Sequence, residues 1–215
     1  MLTENQNLSL NHKPGHVKHD GHNMTGFIIF LCSESIIFFA FFVGYSVLKI
    51  SAPVWYPAGI NGIDIKMPLI NTVILVSSSF VIYFAEKYLH KKNLWGFRII
   101  WFITMIMGSY FVYGQYVEWS ELTFSLQSGA FGGMFYLLTG FHGLHVITGI
   151  LLMGLMLFRS FIPDNYKGGE MGVESVSLFW HFVDVIWIIL FLSLIHISEP
   201  TRLRRISYAV FWLKK

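Results

Sequence analysis

The sequence predicts an all-α membrane protein, a polytopic bundle of five transmembrane helices, and three observations carry that prediction. The chain of 215 residues is 54% hydrophobic and 18% aromatic, yet only 13% of it is charged, about half the share found in soluble domains. No Lys or Arg occurs between Lys18 and Lys49, Lys66 and Lys87, Arg98 and Arg159, or Lys167 and Arg202. Gaps of that length suit helices of ~20 apolar residues crossing a bilayer. Such runs read as helices because a helix satisfies its own backbone hydrogen bonds without water.

Residues 1–24 are polar, carry His12, His16, His19 and His22, and offer too little apolar surface to bury, so a disordered arm is expected. The four histidines lack fixed geometry for a metal, and a solvated tail is the plainer reading. The arm is not a cleavable signal peptide, because its basic residues are not followed by a short apolar region and a small-residue cleavage site.

Five apolar segments follow. The first span covers about 26–48 and holds one charge, Glu34; the second covers about 67–85 and is closed by Glu86, Lys87 and the polar run to Asn93; the third covers about 97–117. Between Glu121 and Arg159 lie 37 uncharged residues, which as one helix would measure ~55 Å against a hydrocarbon core of ~30 Å. A loop around 124–128 must therefore precede a fourth span at about 129–158. The fifth span covers about 175–194 and contains Asp184. The membrane domain as a whole is expected over 25–194, with a basic tail at 195–215.

Charge excludes some functions and orients the bundle. The net charge is +3, but Arg202, Arg204, Arg205, Lys214 and Lys215 lie in the tail with Glu199, leaving 10 basic against 11 acidic residues elsewhere. The body therefore offers no basic surface for nucleic acid. No P-loop, dinucleotide-binding glycine motif, CxxC pair or nucleophile elbow is present. Cys32 stands alone in an apolar run, which leaves no disulfide within the chain and suits a small packing residue. Lys13, Lys18, Lys87, Lys91, Lys92, Arg98, Arg159 and Lys167 would share one side of the membrane, against Lys49 and Lys66 on the other. The positive-inside rule then puts the N-terminus in the cytoplasm and, with five spans, the C-terminus outside.

Polar residues at membrane depth are costly and face other helices. Counted from their span starts at 1.5 Å per residue, Glu34 and Asp184 lie at ~12 and ~13 Å, a common depth. His142 and His145 fall in the same half of the fourth span, and each of the pairs His142/His145 and His181/Asp184 shares a helix face. Such groups could ligate haem or metal, relay protons, or anchor lipid headgroups and a neighbouring subunit. They could equally be interhelical hydrogen bonds that fix packing, with Gly132, Gly133, Gly140, Gly143 and Gly149 letting helices approach closely.

Two strings are specific: Gly140-Phe-His-Gly-Leu-His-Val-Ile-Thr-Gly149 and Phe179-Trp-His-Phe-Val-Asp-Val-Ile-Trp187. Together with Ser33-Glu34 in the first span and Gly114-Gln-Tyr-Val-Glu-Trp119 at the end of the third, they resemble subunit III of the haem-copper cytochrome c oxidases, over roughly residues 25–194, in its short five-helix bacterial form. The resemblance implies a subunit without redox centres or catalytic residues, bound beside catalytic subunit I and subunit II of a proton-pumping terminal oxidase in the bacterial inner membrane. Haems and copper would belong to the partner chains, and this chain would hold phospholipid in a cleft between its first two helices and the rest. No residue here is assigned as a metal ligand. Carried over by position, Glu34 matches the family's intramembrane glutamate, joined by Asp184 in proton uptake or packing. His142, His145, His181, Gln115 and Glu118 match the remaining polar positions, as lipid-binding or packing residues.

Cytochrome c is the donor favoured by the resemblance; subunit III of a quinol oxidase and the related accessory chain of nitric oxide reductases are the alternatives. A stand-alone transporter is a different class, but the sequence shows no internal repeat, and Pro53, Pro57, Pro68, Pro163 and Pro200 sit at or outside span ends rather than breaking helices at mid-membrane. Residues 195–215 match nothing in the family and are similar to translated sequencing-adaptor read-through. They are expected to be foreign and without function, an expectation that a native mass including Arg202 to Lys215 would refute.

Overall fold

The computed structural model of the chain describes residues 20–52, 55, 66–162 and 170–198. Among these it has five helices and no strand: α1 (Asp20–Ser51), α2 (Lys66–His90), α3 (Leu94–Glu121), α4 (Gly129–Arg159) and α5 (Met171–Ser198). All five are long and apolar enough to cross a membrane. The loop required by the length argument precedes Gly129, whose φ of 84° favours glycine.

The helices outrun the apolar spans because backbone hydrogen bonding continues through polar residues beyond the hydrocarbon core. α1 thus takes in residues 20–24, which the sequence assigned to a disordered arm; residues 1–19 and the tail from 199 onward lie outside the described residues. Local chemistry sets several ends. α2 opens with Pro68 in its first turn, where a missing N–H is harmless. It closes with Lys92 in the left-handed region at φ 57°, with Lys92 N–H donating to Leu89 O (2.7 Å) and Asn93 N–H to Tyr88 O (3.0 Å), the paired bonds of a Schellman turn. Asn93 then caps α3 by accepting from Gly96 N–H at 3.1 Å, which satisfies one of the orphan donors there.

Helices consecutive in the chain run antiparallel. α2, α3, α4 and α5 close a ring, each touching the next and α5 touching α2, while α1 lies outside the ring against α4 and α5. α5 is the central helix, with 56% of its most apolar window buried against 11% for α1. The first two helices do not stand apart from the rest across a cleft, as the resemblance implied. They make no contact with each other, and each packs on α5.

Trp180 of α5 holds the ring together. It is fully buried, and its indole N–H donates to Ser78 Oγ of α2 at 2.8 Å. Its ring fits against Gly108 of α3 and Gly149 of α4, where an added Cβ would lie 2.5 and 2.9 Å, respectively, from the nearest indole carbon. One side chain therefore touches all three other helices of the ring. Two more indoles repeat the device: Trp187 donates to Thr72 Oγ1 at 2.9 Å and Trp101 to Met153 O at 2.9 Å. Lipid tails are as apolar as the helix faces, so close packing and bonds of this kind, rather than hydrophobic burial, hold such helices together.

Candidate functional site

The intramembrane polar residues form separate groups at different helix contacts. Between α1 and α4, Glu34 Oε2 lies 3.2 Å from His145 Nε2, with both side chains largely buried. His145 Nδ1 lies 2.8 Å from the Phe141 carbonyl. A carbonyl only accepts, so Nδ1 carries a proton and donates it there. The contact between Nε2 and Oε2 then contains one further proton, held by the imidazole or by the carboxyl. Phe38, Phe141 and Phe179 wall the pair in, with ring centroids 5.1, 4.7 and 6.2 Å from the imidazole.

Between α5 and α2 a second group runs through Ser79. Its hydroxyl donates to Asp184 Oδ2 and its oxygen lies 3.0 Å from His181 Nδ1. With the serine proton committed to the carboxylate, His181 Nδ1–H donates to Ser79 Oγ. The result is a directed chain, His181 to Ser79 to Asp184. Asp184 Oδ1 is buried without a hydrogen-bond partner among the described residues.

His142 belongs to neither group. It is fully buried in the ring interior, 4.8 Å from the Trp187 ring and edge-on to Phe111 at 5.9 Å, and neither of its ring nitrogens has a hydrogen-bond partner among the described residues. Gln115 and Glu118 remain on α3, where Gln115 Nε2 donates to Glu118 Oε2 over a long 3.5 Å.

Three expectations change. His142 and His145 do not serve one site: both reach α5, at Trp187 and Phe179, but His142 also turns to Phe111 of α3 and His145 to Glu34 of α1. Glu34 and Asp184 do not share a depth. His145 bonds Glu34 and stacks on Phe179, while Phe38 meets Phe182, so Asp184 lies about five or six residues further along, ~8 Å. Counting from the span starts treats them as level, but in the register set by Phe38 and Phe182 residue 175 lies beside residue 31, about five residues deeper than the start of the first span at 26. The polar groups therefore form two clusters rather than one constellation.

The sequence reading missed the residues that answer these groups: Ser79 for His181 and Asp184, Ser78 for Trp180, and Thr72 for Trp187. The available signal was Ser77-Ser78-Ser79, three hydroxyls in succession within an uncharged span. Of the glycines singled out on α4, Gly149 and Gly140 receive the indoles of Trp180 and Trp119, whereas nothing approaches Gly143 within 4 Å. On α3, Gly108 was overlooked, and Gly114 was noted only as part of the Gly114–Trp119 string; a Cβ at Gly114 would strike the Asn71 amide.

A family model described as cytochrome c oxidase subunit III matches residues 4–199. Cytochrome c oxidase subunit 3 of Synechocystis sp. is 40% identical over 179 residues, covering 83% of this chain and 77% of its own. That of Thermostichus vulcanus is 41% identical over 175 residues, covering 81% and 87%. A probable cytochrome c oxidase subunit 3 of Nocardia farcinica is 36% identical over 172 residues, covering 79% and 85%. A match over most of the chain, five antiparallel apolar helices and the two His-containing strings seated at helix contacts lead to one conclusion: this chain belongs to the cytochrome c oxidase subunit III family.

Proposed function

We propose that this chain is the redox-inactive subunit III of a proton-pumping terminal oxidase that passes electrons from cytochrome c to O2, and that it supports catalytic subunit I from the side, next to subunit II. The observation that carries this reading is how the buried polar groups are spent. Trp101, Trp180, Trp187, His181, Asp184, Glu34 and His145 all bond to other helices of the same chain, as groups that fasten a bundle do. Haems and copper belong to the partner chains in this reading, and phospholipid fills the lipid-facing surface. The relatives' names, which specify cytochrome c oxidase, support cytochrome c over quinol as donor.

Two groups add proton uptake to the packing role. The Glu34–His145 contact shares a proton, and the His181–Ser79–Asp184 chain can pass one along its hydrogen bonds. The proposed setting is the bacterial inner membrane, with the N-terminus cytoplasmic and the C-terminus outside.

Copurification from native membranes in mild detergent tests the assignment. A haem-bearing partner is expected beside this chain, and the chain separated from that partner should lack a Soret band. A lone homo-oligomer would decide for a transporter, and a stoichiometric Soret band lost on His142→Ala or His181→Ala would decide for a cytochrome.

A further inference from the structure

We propose that His90, Glu170 and Glu174 form a divalent-cation site of the Zn2+ class that ties the end of α2 to the start of α5. These three residues each offer one ligand atom lying within 4.8 Å of the other two. His90 is the last residue of α2 and Glu174 lies in the first turn of α5. Glu170 sits just ahead of α5, its carbonyl accepting from Val173 N–H (2.9 Å) and Glu174 N–H (3.1 Å). The two glutamates are thus one helical turn apart, which sets their carboxylates side by side. His90 Nδ1 approaches Glu170 Oε2 to 2.5 Å.

Ligand bonds of about 2.0–2.2 Å place neighbouring donors ~3.4 Å apart around a tetrahedral ion. Small side-chain rotations bring the three atoms to that spacing. One imidazole with two carboxylates leaves a position for water and suits Zn2+ or a similar transition metal, whereas Ca2+ and Mg2+ take oxygen ligands alone.

A simple ion pair accounts for His90 and Glu170 but not for the third group. Glu174 is half-buried, and its carboxylate has no hydrogen-bond or ion-pair partner among the described residues. Acids are favoured at the N-terminus of α5 by the helix dipole, which explains their presence there but not their convergence on an imidazole from α2. Lys87, one turn back on α2, lies over the Tyr83 ring at 4.5 Å. A dication supplies the charge that two carboxylates and one imidazole lack.

The test uses the full-length chain in mild detergent, stripped with EDTA and titrated with Zn2+, bound metal being counted by mass spectrometry and its shell read by X-ray absorption. His12, His16, His19 and His22 could also take Zn2+, so the titration is run in a background with all four changed to Asn. One Zn2+ per chain with a mixed nitrogen and oxygen shell is expected there, with affinity falling about tenfold or more in each of Glu170→Gln, Glu174→Gln and His90→Gln. The substitutions lie at or near the surface, and unchanged helicity shows that the fold is intact. Zn2+ binding that disappears with the four arm histidines, or that survives in the Glu170→Gln/Glu174→Gln double variant, overturns the proposal.

Discussion

The Phe141 carbonyl, which can only accept, determines what Glu34 and His145 are able to exchange. It keeps one proton on His145 Nδ1, so the second ring nitrogen meets the carboxyl across a single shared proton. Glutamine at position 34 can donate its amide N–H to Nε2 and preserve the bond, whereas alanine leaves a buried nitrogen unpaired at a cost of about 1–3 kcal/mol. Glu34→Gln should therefore assemble like the native chain and Glu34→Ala should dissociate or unfold at lower temperature, as measured by thermal release from the detergent-purified complex. If proton uptake runs through this pair, Glu34→Gln slows it without loosening the assembly, since an amide cannot give up its proton as a carboxyl does. Equal stability of the two variants would mean that the contact holds nothing together.

Among the elements, α5 carries the bundle, and Trp180 shows how. Gly108 and Gly149 leave the space its indole fills, so Gly149→Ala forces a bulky, hydrogen-bonded ring to move, at about 1–3 kcal/mol. Trp180→Phe vacates part of that space while losing the bond to Ser78. A double-mutant cycle in denaturant should then show coupling, with Gly149→Ala costing less in the Trp180→Phe background. Additive losses would mean that the glycine and the indole do not constrain each other. The number and order of these helices were legible in the gaps between Lys18 and Lys49 or Arg98 and Arg159, because charge is excluded from spans. The choice of neighbours was not, since a membrane helix is apolar on every side and shows no stripe to mark its protein-facing surface. For that reason Glu34, His142, His145, His181 and Asp184 could be named as polar residues at depth, but the pairing of Glu34 with His145, the isolation of His142 and the answering role of Ser79 required the fold.

For the molecule as a whole, the antiparallel order gathers the end of α2, the start of α3, the end of α4 and the start of α5 at one end of the bundle. Lys87, Lys91, Lys92, Arg98 and Arg159 are collected there. Contacts fix the geometry of that end: Arg98 Nε donates to Ser160 Oγ at 3.1 Å and its guanidinium also bonds the Ser160 carbonyl. Its guanidinium carbon lies 4.3 Å from the Phe161 ring centroid. A cation bonded to the carbonyl of Ser160, the C-cap of α4, complements the negative end of that helix, so Arg98 is built into this end. The opposite end instead presents Trp55, Trp119, Phe124, Phe131 and Tyr136 in ring contacts. Loops rich in Lys and Arg are retained in the cytoplasm during insertion, and the end with Arg98 is therefore predicted to be cytoplasmic. Reporter fusions after Lys92 and Lys167 should read as cytoplasmic, and fusions after Lys66 and Ser125 as exterior. Because the five helices alternate in direction, one discordant fusion decides the matter: an exterior signal at Lys92 would invert the whole bundle and place the His90, Glu170 and Glu174 cluster on the outer surface.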